Sequence, residues 1–235
     1  MDIIKKKISF LVIWFIVVLV GPYTIFTRTP LSEVISDQVL LINFFQRILG
    51  LIAFSLIFSQ VILGLFMGKL TQKLGSWIYK FHITEGLFTY LFIFGHPLMF
   101  VLLNYKLKGT IDPFYVYTDI CLICKPLFEY FYTFGRVAFW FLTIGVTAAY
   151  FRTHPWLRVH WLKFHILNLF AFYLIALHSY VVGSDVKSTP FIWFYWFAIS
   201  VVTGGLVYKG LSPLFLKLRK EKNSGEKTLN LQKQD

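Results

Sequence analysis

Residues 81–104, FHITEGLFTYLFIFGHPLMFVLLN, carry one acidic or basic side chain, Glu85, in 24 positions. At about 1.5 Å of rise per residue, such a run in helical form crosses the ~30 Å hydrocarbon core of a bilayer. Comparable apolar runs lie at about 8–26, 39–67, 131–150, 161–182 and 191–209, each flanked by charge, Gly or Pro. The sequence therefore predicts an all-α integral membrane bundle of six transmembrane helices.

Composition agrees. Of 235 residues, 57% are hydrophobic and 20% aromatic, more than one soluble core of this size could bury and what lipid-facing helices require. The net charge of +12 raises nucleic acid as a partner, but its distribution has a simpler cause, so lipid is expected and nucleic acid is not. With the N-terminus in the cytoplasm, Lys5–Lys7, Lys69, Lys73, Lys80, Arg152, Arg158, Lys163 and the basic residues of Lys209–Lys233 fall on one side, 16 of the 23. The positive-inside rule then predicts a multi-pass protein of the cell membrane with both termini cytoplasmic. Lys5–Lys7 before an apolar run also resembles a secretory signal, but the run is long and no small-residue cleavage site stands near Gly21-Pro22-Tyr23, so a retained span is expected. Trp77, Tyr105, Trp156, Trp161, Tyr180 and Trp193 fall near the span boundaries, as interfacial anchors do. The chain divides into a first span with its outer loop (1–38), a membrane core (39–210) and a basic cytoplasmic tail (211–235) expected to be disordered or to lie on anionic headgroups.

Two of the spans carry paired histidines. His82 and His96 stand fourteen residues apart in the third, His165 and His178 thirteen apart in the fifth. Both spans run outward, so His82 and His165 share the cytoplasmic depth and His96 and His178 the outer depth, the two levels about 20 Å apart by helical rise. Histidine inside a membrane span is a functional signal by default. Two clusters of two imidazoles lack the three or four ligands that zinc or copper wants. They do match the axial positions of two haems: a doubly ligated, low-spin iron suits electron transfer rather than oxygen binding.

Helical phase supports one pair more than the other. Fourteen residues bring His96 back to within roughly 40° of His82, whereas thirteen leave His178 roughly 140° from His165. The fifth span must then bend, change pitch locally, or present its ligands on different flanks. His160, eighteen residues before His178, is in phase but would lie ~27 Å away, at or beyond the interface. Pro97, directly after His96, allows distortion there too.

Three stretches together, His82-Ile-Thr-Glu-Gly86 through His96-Pro97-Leu98, Gly135-Arg136-Val137-Ala138, and Trp161-Leu-Lys-Phe-His165 through His178-Ser-Tyr-Val-Val-Gly183-Ser184-Asp185, resemble the ferric reductase-like transmembrane domain. This is the six-helix cytochrome b core of ferric reductases and NADPH oxidases, and the likeness covers about residues 40–208. It implies two haem b groups, His82 and His165 holding the inner one and His96 and His178 the outer. It implies an oxidoreductase component passing electrons from a cytoplasmic or quinol donor to an outer acceptor such as ferric iron, oxygen or a partner protein. Relatives that work alone continue into a flavin and nicotinamide domain, but no Gly-rich phosphate-binding fingerprint follows the sixth span here. A separate donor is expected, as for the haem-binding membrane subunit of the periplasmic methionine sulfoxide reductase system: a flavin reductase presenting FMN or FAD, or a quinol.

Other residues have narrower readings. Arg47 and Arg136, near the outer ends of their spans, suit haem propionates through a bidentate guanidinium, or snorkel to headgroups. Glu85 either bonds a polar neighbour or snorkels inward. His154, His160, Arg152, Arg158 and Lys163 form a basic loop that would receive a flavin phosphate or an acidic partner, or simply obey the topology rule. Cys121 and Cys124 are the only cysteines and fall in the long outer loop. They permit a local staple, or a different function, a quinone-linked membrane thiol oxidoreductase. A third class, a non-redox transport or binding protein, would want intramembrane acids or broken helices in matched halves, whereas the charges here are few and unmatched.

Overall fold

A computed structural model describes the backbone of residues 3–231 and the side chains of residues 3–211. It is all-α, with no strand among the described residues. The chain forms two units, residues 1–199 and 200–235.

In the first unit, α1 (Ile3–Arg28), α2 (Leu31–Ser36), α3 (Gln38–Leu74), α4 (Trp77–Lys108), α5 (Tyr115–Thr118), α6 (Leu127–Tyr150), α7 (Pro155–His165) and α8 (Leu167–Val182) follow in order, and α9 (Phe191–Leu231) begins. Among the described residues six segments are long and apolar enough to cross a membrane: α1, α3, α4, α6, the α7–α8 pair, and Phe191–Leu211 of α9. The six expected spans are therefore present. Several run past their apolar stretches, α3 to Leu74 and α7 back to Pro155, because a helix keeps its hydrogen bonds beyond the hydrocarbon and its polar ends are solvated there.

Local chemistry sets the boundaries. The Asp37 carboxylate caps α3, accepting from the amides of Val39 and Leu40 at 2.6 and 3.0 Å. Gly75 ends α3 at φ 96° and Gly109 ends α4 at φ 70°, conformations that cost a residue with a Cβ. Pro155 starts α7 where its missing N–H costs nothing.

The fifth span is interrupted at Ile166, one residue after His165. Ile166 has ψ −20°, against about −42° in an α-helix, and its carbonyl accepts from Leu169 three residues on, as in a 3₁₀ turn. The local change of pitch that the thirteen-residue histidine spacing calls for thus lies between the two histidines.

Phe54 of α3 is the centre of the core. Its ring meets Phe172 at 5.9 Å, Phe191 at 5.8 Å and Tyr195 at 5.4 Å, joining α3, α8 and the start of α9. Large apolar side chains such as Ile13, Ile16 and Leu87 point outward and exposed, an arrangement water would penalise and lipid accepts.

In the second unit, α9 is helical through Leu231, into the segment read as an unstructured tail. Leu and Lys, its commonest residues, have good helix propensity. The side chains from Ser212 onward and residues 232–235 lie outside the described residues, and with them the reading of this tail as bound to headgroups.

Candidate functional site

The four histidines of the third and fifth spans meet in the expected pairs. At one end of the bundle, His82 on α4 faces His165, the last residue of α7. Their ring centroids lie 6.3 Å apart and their planes are perpendicular. Two imidazoles that share one metal, each bound over about 2 Å, hold their ring centres roughly 6 Å apart. His160 is not at this site; its ring packs on Trp156 at 5.0 Å.

Toward the other end, His96 on α4 and His178 on α8 line one cavity of about 410 Å³, within the usual range of cofactor sites. Its walls are largely apolar and aromatic, among them Phe54, Phe139 and Tyr117, and it also reaches Arg47 and Arg136.

Three of the four imidazoles are oriented by main-chain carbonyls. Nδ1 of His96 bonds the carbonyl of Gln46 at 2.9 Å, and Nδ1 of His178 that of Phe131 at 2.8 Å. Nδ1 of His165 lies 3.2 Å from the carbonyl of Gly145. A carbonyl only accepts, so in His96 and His178 Nδ1 carries the proton and Nε2 keeps the lone pair a metal needs, whereas Nδ1 of His165 also lies 3.3 Å from the Asn168 amide nitrogen, which only donates. Nδ1 of His82 is buried without a hydrogen-bond partner, while Gln60 Nε2 donates to the His82 carbonyl at 2.9 Å.

Glycines make these contacts possible, and their spacing repeats. Gly50 stands four residues after Gln46 on α3, and a Cβ there would come within 2.9 Å of the His96 ring. Gly135 stands four residues after Phe131 on α6, and a Cβ there would come within 2.9 Å of the His178 ring. In both helices the carbonyl that binds the imidazole and the gap that admits it belong to one turn. Sequence reading did not identify Gln46, Gly50, Phe131 or Gly145 as site residues. The available signal was a glycine inside an otherwise bulky span, which marks a close approach.

The two arginines behave differently. Arg47 is committed to Asp185, with Nε on Oδ2 and Nη2 on Oδ1, both at 2.6 Å, and Nη2 also reaches Thr29. Arg136 is buried, its Nη1 has no hydrogen-bond partner, and its Nη2 lies 3.6 Å from the exposed Asp119. Of the two, Arg136 has the greater capacity left for a carboxylate in the cavity. Glu85, 4% exposed, accepts from Trp14 Nε1 at 2.8 Å and Gln60 Nε2 at 2.5 Å, so it bonds polar neighbours rather than snorkelling.

These residues fit a haem at each end: imidazoles in pairs, with Nε2 left for a metal on His96 and His178, an orphaned buried nitrogen on His82, an unpartnered guanidinium nitrogen and glycine-lined approaches. Among the described residues no three or more of His, Cys, Asp and Glu gather into a metal-ion cluster, so the histidines stand as pairs. Cys121 and Cys124 form a disulfide in the loop before α6. No family model, curated protein or solved structure matches the chain.

Proposed function

We propose that the chain is a di-haem b electron-transfer protein of the ferric reductase-like kind, carrying electrons one at a time across the cell membrane. The observation that carries this reading is the meeting of His82 with His165, ring centroids 6.3 Å apart and perpendicular, together with the sharing of a second site by His96 and His178. When bound, a haem supplies reversible one-electron chemistry at its iron. The chain does the rest. His82 and His165 would hold the inner group and His96 and His178 the outer. Gln46 and Phe131 fix the ligating tautomers of His96 and His178 through their carbonyls. Arg136 would meet a carboxylate of the outer group, Arg47 is the second candidate, and the aromatic walls exclude water.

Two observations favour cytoplasmic termini. Counted through six spans, most of the basic residues fall on the side of the termini, and the Cys121–Cys124 disulfide stands in a loop an odd number of spans from the N-terminus, as an oxidising exported compartment allows. The donor would be a cytoplasmic flavin reductase presenting FMN or FAD, or a quinol in the membrane. Ferric iron, oxygen or a protein would take the electrons outside.

The test is a pyridine haemochrome assay with reduced-minus-oxidised spectra on the purified protein. Two b-type haems per chain are expected. His82→Ala or His165→Ala should remove only the inner haem, and His96→Ala or His178→Ala only the outer. A colourless protein made with ample haem supply, or four variants that all keep both haems, would refute the reading.

A further inference from the structure

We infer that the Cys121–Cys124 disulfide is a second redox site, which accepts two electrons from the His96–His178 cavity and passes them by thiol–disulfide exchange to a disulfide of an exported protein. The inference rests on the proposed reading of that cavity as an electron-carrying site.

Placement is the first argument. The Cys121 amide donates to Thr133 Oγ1 at 3.1 Å and the Cys124 amide to the Tyr130 hydroxyl at 3.2 Å. Both acceptors lie in the opening turns of α6, and Tyr132, Gly135 and Arg136 of those same turns line the cavity beside His178. The Tyr132 ring lies 6.3 Å from that of His178. The disulfide is thus bonded to the stretch of helix that forms the cavity wall.

Need is the second. A bridge between residues three apart closes a very short loop and constrains the unfolded chain little. The surrounding segment already has other ties: Tyr117 donates to the Phe94 carbonyl and Trp140 to the Tyr117 carbonyl, both at 2.9 Å. A stapling role therefore explains little of why the cysteines are there.

Access is the third. The two residues between the cysteines, Leu122 and Ile123, are 81% and 92% exposed, so the bridge crosses the base of a projecting tip. Both cysteines are half-buried, and Lys125 follows directly, a cation that favours a thiolate.

The chemistry balances. Two electrons arriving singly through the cavity, with two protons from water at the exposed tip, break the S–S bond and leave two thiols. Two one-electron sites in the bundle match this two-electron demand. One thiolate then attacks the partner's disulfide to form a mixed disulfide and releases a partner thiolate. The second cysteine displaces the other partner sulfur, the Cys121–Cys124 bond re-forms, and the partner leaves as a dithiol.

The experiment uses the full chain with its haem. The haem is reduced without oxygen by a photoreduced flavin, the sample is quenched in acid, and free thiols are tagged with a maleimide polymer that shifts the protein on a gel. Two tags per chain are expected in the native protein and none in His178→Ala, which meets the same reductant. Oxidised glutathione, the probe acceptor, should reoxidise the native haem at least tenfold faster than that of the Cys121→Ser/Cys124→Ser variant, which should keep its haem. Untagged cysteines beneath fully reduced haem would overturn the inference and leave the haem reading standing, as would equal reoxidation in the two proteins. Loss of haem from the double variant, with no tags on the native protein, would make the bridge a staple. A colourless native protein would overturn both.

Discussion

The ring of His178 occupies the space that a side chain at position 135 would need: a Cβ on Gly135 would stand 2.9 Å from His178 Nδ1 and 3.0 Å from Cε1. Nδ1 is also the atom bonded to the Phe131 carbonyl, one turn back on α6. Gly135→Ala must therefore push the ring off that carbonyl, and Gly50→Ala must do the same to His96. Loss of a hydrogen bond that orients a metal-bound histidine typically costs about 10–100-fold in affinity. On the proposed function, each variant is expected to lose the outer haem on dilution while keeping the inner one, read from the reduced-minus-oxidised spectrum. Gly68→Ala is the control, since nothing lies within 4 Å of a Cβ there. Equal haem retention in all three would mean that the glycines do not position the ligands.

The Arg47–Asp185 pair joins α3 to the turn after α8, and its two members are unequally placed. Asp185 is 4% exposed, whereas Arg47 is only partly buried. Removing the cation leaves a buried carboxylate without its counter-charge, which typically costs about 3–5 kcal/mol. Removing the anion leaves a guanidinium that can turn toward water. Arg47→Ala should accordingly lower the thermal unfolding midpoint in detergent more than Asp185→Asn does. Arg136→Ala, whose ion contact to Asp119 is long and exposed at one end, should cost least in stability. On the proposed function it should instead weaken outer-haem retention, so the two arginines separate by which measurement each one moves.

Lipid made the spans legible, because a bilayer demands continuous apolar runs and the chain has six. The histidine pairs were legible for the same reason: a polar ring in such a run stands out, and the out-of-phase spacing of His165 and His178 pointed to the irregularity found at Ile166. What the sequence could not reveal depends on which helix faces meet. Gln46 and Gly50 matter only because His96 packs against them. Arg47 is occupied because Asp185, 138 residues away, lies beside it. The short helices α2 and α5 carry too few residues for a period to register. The two arginines read alike in the sequence for this reason as well, since depth was readable and partners were not.

Tyr117 connects α5 to α4 through its hydroxyl, which donates to the Phe94 carbonyl at 2.9 Å. Burial, with the nearby Tyr90 adding to it, pushes this phenol up to about 12. The unfolded chain releases the same proton near pH 10. Because the folded value is the higher, the contribution to stability is complete below about pH 10 and declines as pH rises toward 12. Tyr117→Phe should lose about 1 kcal/mol at neutral pH with the hydrogen bond and should show a flatter decline above pH 10. Unfolding midpoints of the two proteins across that range check both parts. Parallel alkaline declines would assign the slope to other groups.

Glu85 supplies the last case, a carboxyl inside a membrane span whose partners explain it. Trp14 reaches it from α1 and Gln60 from α3, and Gln60 also holds the carbonyl of His82 one turn away. Three helices are thus tied at one buried point, and the Trp14 bond and one of the two Gln60 bonds depend on an acceptor at position 85. Glu85→Gln keeps one acceptor oxygen but turns an NH₂ toward the donors on the other side, so at least one bond is lost. Glu85→Leu leaves the Trp14 N–H without a partner and Gln60 Nε2 with only the His82 carbonyl, at about 1–3 kcal/mol for each buried donor orphaned. The expected order of stability is native, then Glu85→Gln, then Glu85→Leu, with Trp14→Phe close to Glu85→Gln because each breaks at least one bond. Combining Trp14→Phe with Glu85→Leu should cost less than the two separate losses added together, since the indole donor that the loss of the carboxylate would orphan is already gone. Strict additivity in that cycle, measured by thermal unfolding in detergent, would show that Trp14 and Glu85 stabilise the bundle independently.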